Sequence, residues 1–285
     1  MIQSMTGFGK QVIQLPTKKI TVELKSLNSK SLDLNARIPS LYREKELSMR
    51  NTIAKALNRG KVDFGLYVEI TGEETSTQVN EAIVKQYINQ LKNVVDGDET
   101  ELLKMAVRMP DALKTEREEI DESEFTAIEN ALDLAIEALM EYRREEGAAL
   151  KNDFELRIEN ISNLLAEVKQ IDPERTVQIR EKLEKAVSEI KEKVDEDRFE
   201  QELIFYLEKY DITEEKVRLA NHLEYFVTTL NTPDSNGRKL GFICQEIGRE
   251  INTMGSKSNF APMQKLVVQM KDELEKIKEQ VLNVL

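Results

Sequence analysis

Apolar and polar residues alternate along KITVELKSL, with Ile20, Val22 and Leu24 set against Thr21, Glu23 and Lys25. That period of two is the signature of a half-buried strand. SLDLNARIP repeats it, with Leu32, Leu34 and Ala36 on one face, and the intervening Asn28-Ser29 predicts a hairpin. A helix is predicted over residues 41–57, closing at Arg59-Gly60 in a favourable C-terminal cap. KVDFGLYVEIT then reads as a further strand, with Val62, Phe64, Leu66, Val68 and Ile70 pointing one way.

Beyond residue 80 the period lengthens to three and four. Phe125, Ile128, Leu132, Ala135 and Leu139 form one such stripe, and Ile179, Leu183, Val187, Ile190 and Val194 another. Both predict packing against a second helix, in this chain or a partner. DPERT, at 172–176, breaks the pattern and predicts a turn between two long helices. Thr213 is a candidate N-cap, with Glu214 and Glu215 in the first turn where the helix dipole favours anions. A last amphipathic helix has Pro262 early in it and carries Met263, Leu266, Met270, Leu274, Ile277 and Val281. The expected fold is α+β and mostly α. It has a small N-terminal unit of strands and a helix (1–79), a helical, coiled-coil-like arm for spacing or oligomerisation (80–200), and a helical C-terminal unit (201–285).

Composition supports this reading: a third of the 285 residues are charged and Trp is absent, which suits long solvated helices. The single cysteine, Cys244, rules out an intramolecular disulfide and a cysteine-based zinc site, and fits a reducing cytoplasm. MIQSMTGFGK has no apolar run of signal-peptide length, and no apolar stretch nears membrane-spanning length. The expected location is cytoplasmic, with no membrane partner.

Charge changes the picture more. The net charge is −12, yet residues 1–61 hold 12 Lys/Arg against four acids, and residues 236–271 hold six against two. Residues 116–145 reverse the balance, with 11 acids and three arginines. Fields between exposed charges fade over roughly 8–10 Å, so a basic patch can grip phosphate on an acidic protein. The asymmetry points to nucleic acid, or to a basic patch meeting an acidic neighbouring subunit.

Two C-terminal segments carry candidate chemistry. TEEKVRLANHLEYF places Glu215, Arg218 and His222, the only histidine, on one helix face. GRKLGFICQEIGREINTMGSK places Glu246, Arg249, Glu250 and Thr253 on another, flanked by apolar Leu240, Phe242, Ile243, Ile247 and Ile251. If the two helices face each other, carboxylates and imidazole can hold Mg²⁺ or Mn²⁺, and the arginines with Lys257 can clamp a phosphodiester. His222 can alternatively serve as general acid or base. The same residues also make ordinary solubilising pairs. The GFG at 7–9 lacks the dinucleotide-loop pattern, no phosphate-binding P-loop occurs, and Cys244 sits in an apolar run as a core residue would.

MTGFG, VELKSLNSKSLDLNARIP, RGKV, YRREEGAALKND, EEKVRLANHLEYF and GRKLGFICQEIGREINTMGSK together resemble the YicC/YloC family of bacterial proteins, from end to end. That resemblance implies a metal-dependent endoribonuclease, acting on RNA with a divalent cation such as Mn²⁺ or Mg²⁺ and assembling as a homohexameric clamp. It implies His222, Glu246, Glu250, Arg218 and Arg249 as catalytic residues, and His222, Glu246, Glu250 and Glu215 as metal ligands. Lys25, Lys30, Arg37, Arg59, Lys61, Arg238 and Lys257 are the expected RNA contacts. Two positions depart from the family pattern: Gly241, where an Asp is usual, and Ser31, where an aromatic residue is usual. The rival readings are a non-catalytic RNA-binding adaptor and a purely structural helical scaffold.

Overall fold

Four strands make the N-terminal sheet: β1 (Gly7–Gln14), β2 (Lys18–Leu27), β3 (Leu32–Arg37) and β4 (Gly60–Ile70), in the order β1-β2-β4-β3. The computed structural model describes residues 2–57, 59–71, 78–114, 120–189 and 196–285. Alternation works as expected in β2 and β4, whose Ile20, Val22, Leu24, Val62, Phe64 and Leu66 are buried.

The hairpin expected at Asn28-Ser29 does not form. β2 instead pairs antiparallel with β1, a strand the alternation missed, and with β4, while β3 runs parallel to β4. Parallel neighbours need a crossover, and here it is a 3-10 turn (Ser40–Lys45) leading into α1 (Glu46–Ala56). Gly60 is not a helix cap either: α1 ends at Ala56, and Gly60 opens β4 with φ 129°. A Cβ there would be strained and would stand 2.8 Å from the Ser26 hydroxyl.

Residues 78–114 form a small satellite. The two-residue strands β5 (Gln78–Val79) and β6 (Leu113–Lys114) pair beside α2 (Glu81–Lys92) and α3 (Glu99–Ala106), over a minor core of Val84, Ala106 and Ala112.

α4 (Glu122–Glu189) is a single helix of 68 residues, about 100 Å long. Its first stripe, Phe125 to Leu139, packs on the sheet and not on another helix, because the sheet's apolar face is the nearest large surface left to cover. β1 lies so close that a Cβ on Gly9 would collide with the Ala135 carbonyl, which explains the glycine in GFG. DPERT makes no turn: Pro173 lies inside α4. Its missing N–H forfeits one helical bond, but buried Arg175 holds the stretch, bonding Asp172 (2.8 Å) and the Tyr210 carbonyl (2.9 Å). In the second stripe Ile179 and Leu183 are half-buried; Val187, Ile190 and Val194 fall outside the described side chains.

Farther along α4, Phe154, Ile158, Ile161, Leu165 and Val168 enter a second core with α6 (Thr213–Leu230), α7 (Gly237–Lys257) and α8 (Ala261–Val281). α5 (Glu196–Lys209) precedes α6 and is mostly exposed. The α8 stripe is buried as expected, apart from a half-buried Leu266.

The two ends of the chain are woven together where the cores meet. Met5 N donates to the Asn283 carbonyl (2.7 Å), and Leu285 N donates to the Gln3 carbonyl (2.9 Å). Beneath them lies Arg143, only 1% exposed, whose guanidinium donates to the Ser26 hydroxyl (2.6 Å) and the Met5 carbonyl (3.2 Å). Burial, and then the nearby charge of Arg59, pull Arg143 below the ordinary guanidinium range. Among the described residues no helix is long and apolar enough to cross a membrane.

Candidate functional site

α6 and α7 pack antiparallel, so the two candidate segments do face each other. Lys257, at the end of α7, bonds Glu215 at the start of α6 (2.7 Å) and also donates to the Asp211 carbonyl (2.9 Å). This pairing joins the start of α6 to the end of α7. Seven residues on from Glu215 is His222, and seven residues back from Lys257 is Glu250. Seven residues return a helix almost to the same face after about 10 Å. Glu215 and His222 therefore share one stripe of α6, and Glu250 and Lys257 share one stripe of α7. Lys239 over the Tyr225 ring (4.9 Å to the centroid) tethers the seam farther along.

The two side chains differ in burial. Glu250 is 4% exposed, between Ile247 and Ile251, and His222 is half-buried. Among the described residues Glu250 has no hydrogen-bond or ion-pair partner. Glu246, one turn away, is exposed and only loosely engaged by Arg249 (3.9 Å). Arg218, also exposed, pairs with Glu214. Glu215 is about 10 Å along α6 from His222 and belongs to the Lys257 pair; its Oε2 is buried without a partner. Among the described residues no three His, Cys, Asp or Glu side chains converge as a ready metal cage.

Thr213 is not the N-cap of α6 but its first residue. Asp211 does the capping work by accepting from the Thr213 amide (3.0 Å) and hydroxyl (2.7 Å), and that hydroxyl chiefly holds its carboxyl below the usual range. Cys244 is buried and its thiol is pushed up to about 12 by burial, so it is a core residue as expected. Gly241 lies nine residues from Glu250, about half a revolution around α7, and faces Val281 of α8. Its departure from the family pattern does not touch the seam.

The expected RNA contacts fall in three places. Lys25, Arg37 and Lys61 are exposed on the outer face of the sheet, Lys25 beside Glu23 and 5.8 Å from the Phe8 ring. Lys257 is spent on Glu215. Lys30, Arg59 and Arg238 converge on a cleft of about 670 Å³ between the 28–30 loop and the start of α7, a feature sequence reasoning did not find. Phe242 lines that cleft and is 58% exposed, so it does not belong with the apolar flank. The signal was present: at about 100° per residue, position 242 falls off the 240, 243, 247, 251 stripe.

Comparison with known proteins adds the following. The family model "Endoribonuclease YicC-like, N-terminal region" matches residues 2–152, and "Endoribonuclease YicC-like, C-terminal" matches residues 168–285. A protein of Clostridioides difficile (strain 630) named "Probable endoribonuclease YicC" is 35% identical, with both chains covered in full. One of the same name from Haemophilus influenzae is 27% identical, again over the whole of both chains.

Proposed function

The chain belongs to the YicC-like endoribonuclease family, and from that premise we propose that it is a metal-dependent endoribonuclease. In this reading it cleaves RNA phosphodiester bonds at the α6–α7 seam and works as a homo-oligomeric, hexameric clamp. The observation that carries the placement is Glu250, a residue of α7 only 4% exposed, whose carboxylate has no partner among the described residues and whose helix packs against the one that carries the only histidine. A seam built only for packing needs no acid between Ile247 and Ile251.

The residues present fit a hard divalent cation of the Mg²⁺ or Mn²⁺ kind. Such ions make do with one or two carboxylates, keeping waters and substrate phosphate as the remaining ligands. Glu250 and His222 would hold it, with Glu246 one turn away; Glu215, tied to Lys257, would hold the seam closed. When bound, the cation would supply an acidified water or a polarised phosphoryl oxygen. The chain's own contribution is to orient and to move protons. His222, half-buried at the rim, can take or give a proton at one ring nitrogen. Arg249 and Arg218, exposed on either side of the seam, can bind a phosphate and offset its charge. Oligomerisation would set the acidic 116–145 segment of one copy against the basic sheet face of another.

The test is cleavage of a purified single-stranded or hairpin RNA with Mn²⁺ or with EDTA, by the wild type, His222→Ala and Glu250→Gln. EDTA should stop cleavage, and each substitution should slow it by about 10²- to 10⁴-fold. Cleavage indifferent to chelator and substitution overturns the reading, and binding without cleavage makes the protein an RNA adaptor.

A further inference from the structure

The cleft between the sheet and α7 has a chemistry unlike that of the seam. Asn28, Ser29, Lys30 and Arg59 approach from the N-terminal side, and Arg238, Phe242 and Gln245 from α7. Among the described residues no acidic side chain lines it. Lys278, also in the wall, is bound by Glu275 (2.7 Å), but among the described residues Lys30, Arg59 and Arg238 have no ion pair. The site is built rather than incidental. Asn28 donates to the Leu282 carbonyl (2.6 Å) and Arg59 to the Val284 carbonyl (2.8 Å), and Gly237 at the head of α7 donates to the Leu285 carbonyl (3.1 Å), so both walls are fixed to the 282–285 strap.

Arg59 and Arg238 are close enough to repel. Burial first, and Arg238 second, draw Arg59 below the ordinary guanidinium range. Two guanidiniums held together without an acid make a site for an anion with several oxygens. Beside them Phe242 offers a ring more than half exposed, on the outward face of α7 between Arg238 and Gln245. Side chains at these spacings line one face, which continues to Arg249 and toward the level of Glu250. From Phe242 to Glu250 is about 12 Å along the helix.

We infer that this cleft binds one nucleotide of a single-stranded RNA, its phosphate between Lys30, Arg59 and Arg238 and its base stacked on Phe242. The Gln245 amide is placed to meet a base edge. The inference rests on the ribonuclease reading for its ligand and adds what that reading lacks, a requirement for an unpaired base a short distance along α7 from Glu250. Stacking tolerates any base, so the cleft selects single strands over duplex and not one sequence.

Binding is measured apart from cleavage, in EDTA, by titrating a fluorescent RNA pentamer, a nucleoside monophosphate and inorganic phosphate. The pentamer should bind best and the bare phosphate worst. Phe242→Ala should weaken the pentamer by about 5- to 150-fold with an unchanged melting curve, and Phe242→Tyr should restore it. Arg238→Gln should weaken it and lower the salt slope by about one ion. Phe242→Ala within about two-fold of wild type, or phosphate binding as tightly as the pentamer, overturns the inference. The two readings fail separately. Phe242-dependent binding with no Mn²⁺-dependent cleavage removes the catalytic reading alone, and cleavage with an indifferent Phe242 removes this one alone.

Discussion

Glu215 of α6 and Glu250 of α7 are both buried residues of adjoining helices, yet they are treated differently. Glu215 has a lysine on it, with a carbonyl holding that lysine in place. Glu250 has nothing. A third carboxylate, Glu273 of α8, goes the other way and collects Lys276 (2.6 Å), Arg157 (3.1 Å) and Asn160 (3.2 Å). The series teaches how to separate an acid that serves the fold from one that serves chemistry. The former draws a donor to at least one of its oxygens, whereas the latter, in the reading proposed for Glu250, leaves its oxygens for a ligand that arrives later.

The sharpest way to break this contrast is at Glu250. Glu250→Gln is expected to cut RNA cleavage by at least about 100-fold, with the urea midpoint unchanged. Glu250→Leu should be equally inactive while keeping or raising that midpoint, since the residue is 4% exposed among apolar neighbours and has no ion pair to lose among the described residues. A large loss of stability in both would mean Glu250 is structural.

Lys257→Met tests the opposite expectation. Breaking the Glu215 pair should cost about 1–3 kcal/mol, the lower side of the range for buried pairs because Lys257 is 32% exposed. Cleavage per folded molecule should change by only a few-fold, and adding Glu215→Gln should recover part of the stability. Denaturant titration with active-site-normalised rates reads both quantities.

The smallest expected effect belongs to Glu273. Lys276, then Asn160 and Arg157, hold its carboxyl down to about 2 from an ordinary 4.5. A depressed carboxyl adds stability above its unfolded value and loses it as pH falls toward the folded one. Glu273→Gln should therefore cost about 1–2 kcal/mol at neutral pH. The gap from wild type should close between about pH 4.5 and pH 2 in pH-dependent denaturation.

The seam was legible because helical periodicity carries facing information: Glu215, His222, Glu246 and Glu250 follow from spacing, and the meeting of α6 and α7 needed only an antiparallel hairpin. Strand partners were less legible. Alternation in SLDLNARIP reports a half-buried strand but not which neighbour it pairs with, and β3 is placed by a crossover helix rather than by a turn. Pro173 was overread as a break because local propensity cannot count the tertiary bonds around Arg175. The cleft was hidden for a different reason. Its walls come from residues 28–30, 59 and 237–245, brought together by a strap between the chain's two ends that leaves no periodic trace.

α4 lends Phe125–Leu139 to one core and Phe154–Val168 to the other. Neither half can melt without baring an oily stripe on a rod the other half still uses, so heat should register one calorimetric peak for both cores. A protein wired this way cannot loosen its sheet and keep its acid-bearing seam rigid; whatever bends the rod is felt at both ends.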